Sequence, residues 1–377
     1  MDPGLILIGA TVRKLASSGK KAGFSMFAID EYGDEDTRSA VEALITVETQ
    51  DGALDENQIL KAIETLDPRQ ERAIILGGGL DGHSGLVRHL VEHRTHIGNS
   101  EEARNKAKDP RLLFPLLDDL GIPYPEVRWD FPENEHAWLQ KSGCSEGGRG
   151  VRFLSEGRID SGDYFQRRLI GPAYSALFLA NGTDIRIVGF NTLHNGMLGP
   201  RPFMFVGAAN FTNLAPDILH RVADHTLKLV RELGLIGLNS IDFMLDHTMD
   251  PLILEINARP SATMSLYDDD IAQGLLNAHI RAVHGHLPSR LRTRLYRLFN
   301  IVEAPRTLLI PKGLRWPSWC KDLPCAHTVI PKSAPICSVE SEASSPGRAI
   351  QLLMQRMRIL EDLIGVRQQS LYLPHPI

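Results

Sequence analysis

The stretch from Leu235 to Thr263, LIGLNSIDFMLDHTMDPLILEINARPSAT, decides how the rest of the chain is read. Ile241, Phe243 and Leu245 alternate along one segment, and Leu252, Leu254 and Ile256 along the next, with DHTMDP between them. Period-two alternation on either side of an Asp- and Pro-rich turn predicts a β-hairpin. Side chains two apart on a strand share a face, so Glu255 and Asn257 point the same way. Pairing across the turn then brings Asp242 to them. Two carboxylates and an amide oxygen on rigid strands suit Mg2+ (or Mn2+), since Mg2+ takes one or two carboxylates and fills its shell with water and phosphate. Arg259 follows Asn257 by two residues and has the planar fork that clamps phosphate bidentately. A surface hairpin with a polar outer face would account for Asp242 alone. It does not account for the ordered set Asp242…Glu255-x-Asn257-x-Arg259-Pro260-Ser261.

The totals set limits on what the chain is. At 377 residues it is too long for one ordinary core, and two or three domains are expected. A hydrophobic content of 43 % with both charge signs at ordinary frequency describes a globular protein. The net charge of -5 argues against a nucleic-acid footprint, which would be basic. No apolar run approaches bilayer length, and MDPGLILIGA has neither a basic n-region nor a small-residue cleavage site. Cys144, Cys320, Cys325 and Cys337 are too sparse for a disulfide scaffold and fit reduced thiols in a cytoplasmic protein.

The N-terminal part reads strand, helix, strand. Leu5–Ile8 is followed by a helix over 11–22 with Val12, Leu15 and Ala16 on one face, then by Phe24–Ile29. Val41–Val47, a helix over Asn57–Leu66, Ala73–Leu76 and a helix from Leu86 to His93 continue an α/β domain with a parallel sheet. Gly77-x-Gly79-x-x-Gly82 formally matches the dinucleotide fingerprint, but it stands late in the domain and lacks the acid that should close a later strand. His89, His93 and His96 have helical spacing, and a solvated face explains them better than a metal site.

Ser100 is placed to cap a helix ending near Lys106 and Lys108. Leu112, Leu113, Leu116, Leu117 and Leu120 form an apolar face on the next helix, which ends in GIPYP. Ala137–Gln140 runs as a strand into KSGCSEGGRGV, where Lys141 precedes a loop containing Gly147, Gly148 and Gly150. A lysine before such a loop outlines a phosphate cradle, with backbone N–H groups on the oxygens and a point charge beside them. Glu146 is unexpected there, and Cys144 has no identifiable base that would make it a nucleophile. Tyr174–Leu179 alternates as a strand, Asn181-Gly182 is a hairpin turn, Ile185–Val188 returns, and Ala215–Leu233 is an amphipathic helix stopped by Gly234. The basic run Arg290 to Arg297 reads as a solvated helix face. Cys320, Cys325, His327 and Cys337 lack the C-x-x-C knuckle of a zinc site. Residues 348–364 read as a closing helix with Leu352, Leu353, Met357, Leu360 and Leu363 apolar.

Taken in this order, the motifs resemble those of the ATP-grasp ligases, in the subgroup of carboligases related to biotin carboxylase. The resemblance covers about residues 1–290. It implies a mixed α/β and α+β fold with a Rossmann-like pre-ATP-grasp domain over 1–97, an ATP-grasp domain clamping ATP over 98–290, and a small β-rich C-terminal domain with a closing helix over 291–377. It implies ATP contacts from Lys108 (Lys106 being the second choice), Lys141, Gly147, Gly148, Gly150 and the adenine linker at Gln166, Arg167 and Leu169. Asp242, Glu255 and Asn257 are then the metal ligands, and Arg259 and Lys141 the catalytic cations. Gln166 and Arg167 depart from the family, which commonly has an acid for the ribose in that place; Ser142 departs from the proline that often follows the lysine.

The implied activity is carboxylate–amine ligation through an acyl phosphate, releasing ADP. A family association points to one-carbon cofactor biosynthesis and a glutamate-adding step, and the assembly leaves room for a homodimer. Biotin-carboxylase-like or formate-activating chemistry is the alternative, and a non-catalytic nucleotide-binding protein the third. Because ligands gather at the carboxyl ends of parallel strands, the loops Gly9–Arg13 and Gly77–His83 are expected to face the substrate, with Arg13 and Gly79 as its contacts.

Overall fold

A computed structural model describes residues 4–50, 53–143, 145–154, 162–289 and 291–365; Cys144 lies outside them. The N-terminal strands form a parallel sheet in the order Ala43–Thr46, Met26–Asp30, Leu5–Ile8, Ala73–Leu76. Its central strand is buried on both sides, as parallel sheets require. Ile6 and Ile8 join Ile59 and Ile63 of helix Glu56–Leu66, whereas Leu5 and Leu7 join Leu15 and Ala16 of helix Arg13–Ala22 on the opposite face. That second helix packs on Gly274–Val283, where a Cβ at Gly19 would lie 2.8 Å from Met26 Sδ and 2.9 Å from a Leu276 methyl. The residue pattern placed these elements within two or three residues of where they fall.

A small antiparallel sheet follows in the order Val127–Arg128, Asp163–Arg167, Trp138–Ser142, Val151–Phe153. It carries the glycine-rich flap. The large sheet has eight strands, ordered Pro251–Asn257, Ile236–Leu245, Ala173–Asn181, Ile185–Leu198, Arg201–Ala209, Tyr296–Glu303, Pro335–Ala343, Cys320–Lys321. The C-terminal strands therefore extend the same sheet through the pairing of Arg201–Ala209 with Tyr296–Glu303. Helix Pro216–Leu233 covers one face of this sheet and Gly274–Val283 the other. No helix among the described residues is long and apolar enough to cross a membrane.

Several local expectations change. Ala173–Asn181 is buried nearly along its whole length, because it lies inside the sheet with helices on both sides. Its alternation is lost to a continuous apolar run. Between Asp242 and Phe243 the hairpin register slips by one residue, so Ile253 and Ile256 enter the core while Leu254 does not. This β-bulge turns Leu254 toward the ligand cavity described below. Arg297 is in a strand, bonded to Asp270 and Glu342, and is not on a solvated helix face. Leu112 and Leu363 are exposed; Leu113, Phe114 and Leu117 are the buried positions of their helix.

Arg13 is corrected most sharply. It was expected to meet a substrate carboxylate, but its side chain is only 5 % exposed and its Nε lies 2.6 Å from Asp322 Oδ1 and 3.6 Å from Asp36. Glu340 stands 3.9 Å from Nη2. Burial alone would lower the Arg13 pKa, but Asp322 and Glu340 outweigh it and hold the charge firmly. The guanidinium thus ties the N-terminal helix to the C-terminal strands. Removing one partner of a buried pair leaves the other uncompensated, at about 3–5 kcal/mol. Arg13→Met and Asp322→Asn should each lower the unfolding free energy measured by urea denaturation by an amount of that order, and the double variant should lose much less than the sum. Additive losses would show that the two side chains act independently.

Candidate active site

A cavity of about 760 Å3 lies between the small sheet and the large one. Its size falls within the range of small-molecule sites. Lys108, Lys141, Gly147, Gly148, Gln166, Arg167, Leu169, Asp242, Glu255, Asn257 and Arg259 all line it, from five separate segments. Gly150 does not: it closes the flap turn, where a Cβ would lie 2.2 Å from Ser145 Oγ. Gly148 has a positive φ of 81°, and a Cβ there would collide with the Phe203 carbonyl. The flap is seated on strand Arg201–Ala209 by Phe205 N–H, which donates to Gly147 O at 3.0 Å.

The hairpin register puts Asp242 opposite Glu255 and Ser240 opposite Asn257. Asn257 Nδ2 donates to Asp242 Oδ2 at 3.3 Å. Burial first, and then the neighbouring Glu255 charge, push the Asp242 pKa well up. Burial would raise Glu255 too, but Lys108 and Lys141 outweigh it and hold it down. The two shifts run in opposite directions, Asp242 up and Glu255 down. Two like charges this close in a buried site need either a proton or a cation. This donor set fits a divalent cation of the magnesium type once Asn257 turns its oxygen toward the pair and away from Arg259 Nη2, from which it accepts at 3.2 Å. Among the described residues no three His, Cys, Asp or Glu side chains cluster as a metal site elsewhere. Cys320 and Cys337 are buried together, Cys325 bonds to Gly33 O, and His89 stacks on His93.

Lys108 donates to Ser145 O at 2.7 Å. Its burial favours the neutral amine, yet Glu255 and Asp81 outweigh burial and raise its pKa. Lys141 donates to Gln166 Oε1 at 3.1 Å, which leaves Gln166 Nε2 buried without a partner among the described residues. His194, on strand Ile185–Leu198, lines the same cavity with Nδ1 2.9 Å from Asn300 Oδ1 and an equally unpartnered Nε2. Buried polar atoms are normally satisfied, and both of these exceptions belong to residues that line the cavity. Met244 and Leu254, the latter turned in by the bulge, supply apolar surface beside them. The residue pattern gave no signal for His194, nor for Asp81 and Arg104. Asp81 joins the site by accepting from Arg259 Nε at 3.1 Å and from Arg104 at 3.0 Å. Burial would raise Asp81, but Arg259, Lys108 and Arg104 bring it down to about 2.

A second cavity of about 690 Å3 meets the first at Arg259, Ser261 and Ala262, which line both. Gly77, Gly78, Gly79, Gly82 and His83 form one wall, and Ala10, Thr11 and Lys14 another. Residues of both N-terminal loops thus line it, with Lys14 rather than Arg13 on the wall. The Lys14 ammonium rests 4.3 Å from the Phe299 ring centroid. Burial brings its pKa down to about 8.

The fold is the ATP-grasp fold. Residues 107–263 match the model of the ATP-grasp domain, and the chain carries such a domain. Over 355 residues it is 21 % identical to an uncharacterized protein of Methanocaldococcus jannaschii, covering 89 % of this chain and 87 % of that one. Among solved structures, biotin carboxylase from Campylobacter jejuni, in a complex with β,γ-ATP, superposes with a TM-score of 0.74 at 16 % identity, over 96 % of this chain and 91 % of its own. N5-carboxyaminoimidazole ribonucleotide synthetase from Thermotoga maritima gives 0.68 at 15 %, over 94 % and 98 %. The biotin carboxylase domain of Hydrogenobacter thermophilus 2-oxoglutarate carboxylase, described with MgADP and bicarbonate, gives 0.73 at 13 %, over 94 % and 89 %. The expected fold, with an N-terminal α/β domain and a β-rich C-terminal part, is the one found.

Two substitutions test the cavity. Glu255→Gln should abolish the advantage that Mg2+ gives to ADP binding, because one ligand charge is gone. Lys141→Met should weaken ADP binding by roughly 10- to 100-fold, the size of one lost charge-assisted hydrogen bond. Calorimetric titration of ADP with and without Mg2+ measures both. A Glu255→Gln protein with undiminished Mg2+ dependence would remove the hairpin from the metal site.

Proposed function

We propose that the chain is an ATP-dependent carboxylate–amine ligase working through an acyl phosphate. The observation that carries this reading is the meeting of the two cavities at Arg259. One cavity has the lysines and carboxylates that suit a triphosphate and its metal; the other has loops suited to an organic substrate. A carboxylate is a poor electrophile until one oxygen becomes a phosphate leaving group. The protein's share in that chemistry is positioning and charge neutralisation.

Lys108 and Lys141 hold the phosphates from two sides, the flap amides around Gly147 and Gly148 cover them, and Gln166, Arg167 and Leu169 border the base. Asp242, Glu255 and Asn257 hold Mg2+, which when bound neutralises phosphate charge. Arg259 stands at the boundary, where the transferred phosphoryl group and the receiving carboxylate come together. The acceptor amine then enters from the second cavity, whose size suits a sizeable organic molecule better than bicarbonate or formate alone. A glutamate-adding step in one-carbon cofactor assembly is the substrate assignment that the family association favours.

ADP formation measured against a matrix of carboxylates and amines tests this directly. Turnover should require one member of each class, and hydroxylamine should intercept the activated acyl group as a hydroxamate when the amine is omitted. ADP formation that needs bicarbonate and no amine would replace this reading with the carboxylase alternative. ATP binding without turnover on any pair would favour the non-catalytic one.

A further inference from the structure

Glu146 explains itself only when its partners are counted. It lies in the glycine-rich flap, where a negative charge opposes phosphate binding. Yet its carboxylate is turned away from the flap and fully engaged. Oε1 accepts from Gly79 N–H at 2.9 Å and from Asp81 N–H at 2.8 Å. Oε2 lies 2.9 Å from the same Gly79 nitrogen and accepts from Arg259 Nη2. Two backbone donors and one guanidinium thus converge on a single carboxylate, at the edge shared by the two cavities.

The receptor is built by the Gly77–His83 loop, not by Glu146. Gly79 has a φ of 92°, and a Cβ there would lie 2.7 Å from the Ala10 Cβ. The loop is pinned by Ala10 N–H donating to Gly78 O at 2.8 Å. A Cβ on Gly78 would lie 3.2 Å from Glu146 Oε2 and 3.4 Å from Arg259 Cζ, so the carboxylate and guanidinium sit directly against glycine backbone. Two amides of one turn, Gly79 and Asp81, aimed at one point in this way form an anion-binding concavity. Arg259 is itself fixed from behind by Asp81 Oδ2, which accepts from Nε, while Nη2 donates both to Glu146 Oε2 and to Asn257 Oδ1, the latter at 3.2 Å. Charge points the same way. Arg104, Lys108 and Arg259 surround Asp81 and Glu146, with Glu255 also facing Lys108 and Arg259, so removing Glu146 leaves these three cations with Asp81 and Glu255 as their carboxylates.

We propose that the Gly79 and Asp81 amides and the Arg259 guanidinium form the subsite for the substrate's carboxylate, and that Glu146 is its internal occupant. The identity of that anion as a substrate carboxylate rests on the ligase reading. Its chemistry, a carboxylate on two amides and a guanidinium, is read from Glu146 itself. Entry of the substrate expels Glu146 and frees the flap to reposition over the phosphates, so the flap leaves its resting seat only when the carboxylate to be activated is in place. An intramolecular occupant lowers the apparent affinity for an external one by the fraction of time the site is open. If Glu146 fills the subsite about nine-tenths of the time, the loss is about tenfold.

The test is a titration of the full-length protein with 13C-labelled acetate, followed by NMR. Glu146→Ala should bind acetate about tenfold more tightly than the wild type, or better. Glu146→Gln, which keeps the size and loses the charge, should fall on the same side. Adding Arg259→Met to Glu146→Ala should erase the gain. Acetate affinity that is unchanged or weaker in both Glu146 variants overturns the proposal, because Glu146 would then be a fixed latch and not an occupant. MgADP titrated in parallel keeps the two readings apart. Tighter acetate without MgADP binding would keep the anion subsite and discard the ligase. MgADP binding with unchanged acetate affinity would do the reverse.

Discussion

Arg259 is a guanidinium with little access to water, and the site depends on how it is paid for. Its side chain is 10 % exposed. A charge in that position stays only if carboxylates and carbonyl-type acceptors are brought to it. They come from three places that are far apart in sequence: Asp81 after the last strand of the N-terminal sheet, Glu146 in the flap and Asn257 two residues back on the hairpin. Satisfying one arginine therefore fixes the N-terminal domain, the flap and the Ile236–Asn257 hairpin relative to one another. Asp81 passes the constraint on to Arg104 and lies 4.0 Å from Lys108, which adds the lysine helix to the same network.

The fold was legible where local pattern and tertiary position agree. Leu5–Ile8, Ala73–Leu76 and helix Pro216–Leu233 were readable because their burial follows their own periodicity and their ends carry the usual stops, such as Gly234 in the left-handed region. Ser100 caps its helix through the Ala103 amide, as its side chain suggested. The register slip in the hairpin was not readable. Leu254 is as hydrophobic as Ile253, and only the pairing with the neighbouring strand decides which of them enters the core. Strand Arg201–Ala209 and the joining of the C-terminal strands to the large sheet were missed for a related reason, since strand pairing is non-local.

The site divides along the same line. Residues whose chemistry is written into a short ordered motif, such as Asp242, Glu255, Asn257, Lys141 and Lys108, do line one cavity. Residues that matter through a distant partner were misplaced or unseen. Arg13 looked like a free cation at the end of a strand, and only the fold shows Asp322 waiting for it 309 positions later. Asp81 and His194 carried no signal in the residue pattern. Glu146 was conspicuous as a charge of the wrong sign, but the backbone amides that receive it carry no side-chain signature at all.

The Arg13–Asp322 tie also has a consequence for the second cavity. Asp322 lines that cavity and receives Arg13 Nε on one oxygen and Ser338 Oγ on the other. Burial would raise its pKa, but Arg13 and Lys14 outweigh burial and bring it down to about 2. Its charge is thus spent on holding the C-terminal strands against the N-terminal helix. Asp34, on the same wall, has no comparable cation. Burial, followed by the repulsion of Asp322, brings it up to about 8. The two acids are chemically identical and differ only in what the fold places beside them. The cations beside Asp322 favour its anion. Asp34 is pushed toward its protonated form, on a wall of the cavity that the Gly77–His83 loop also lines.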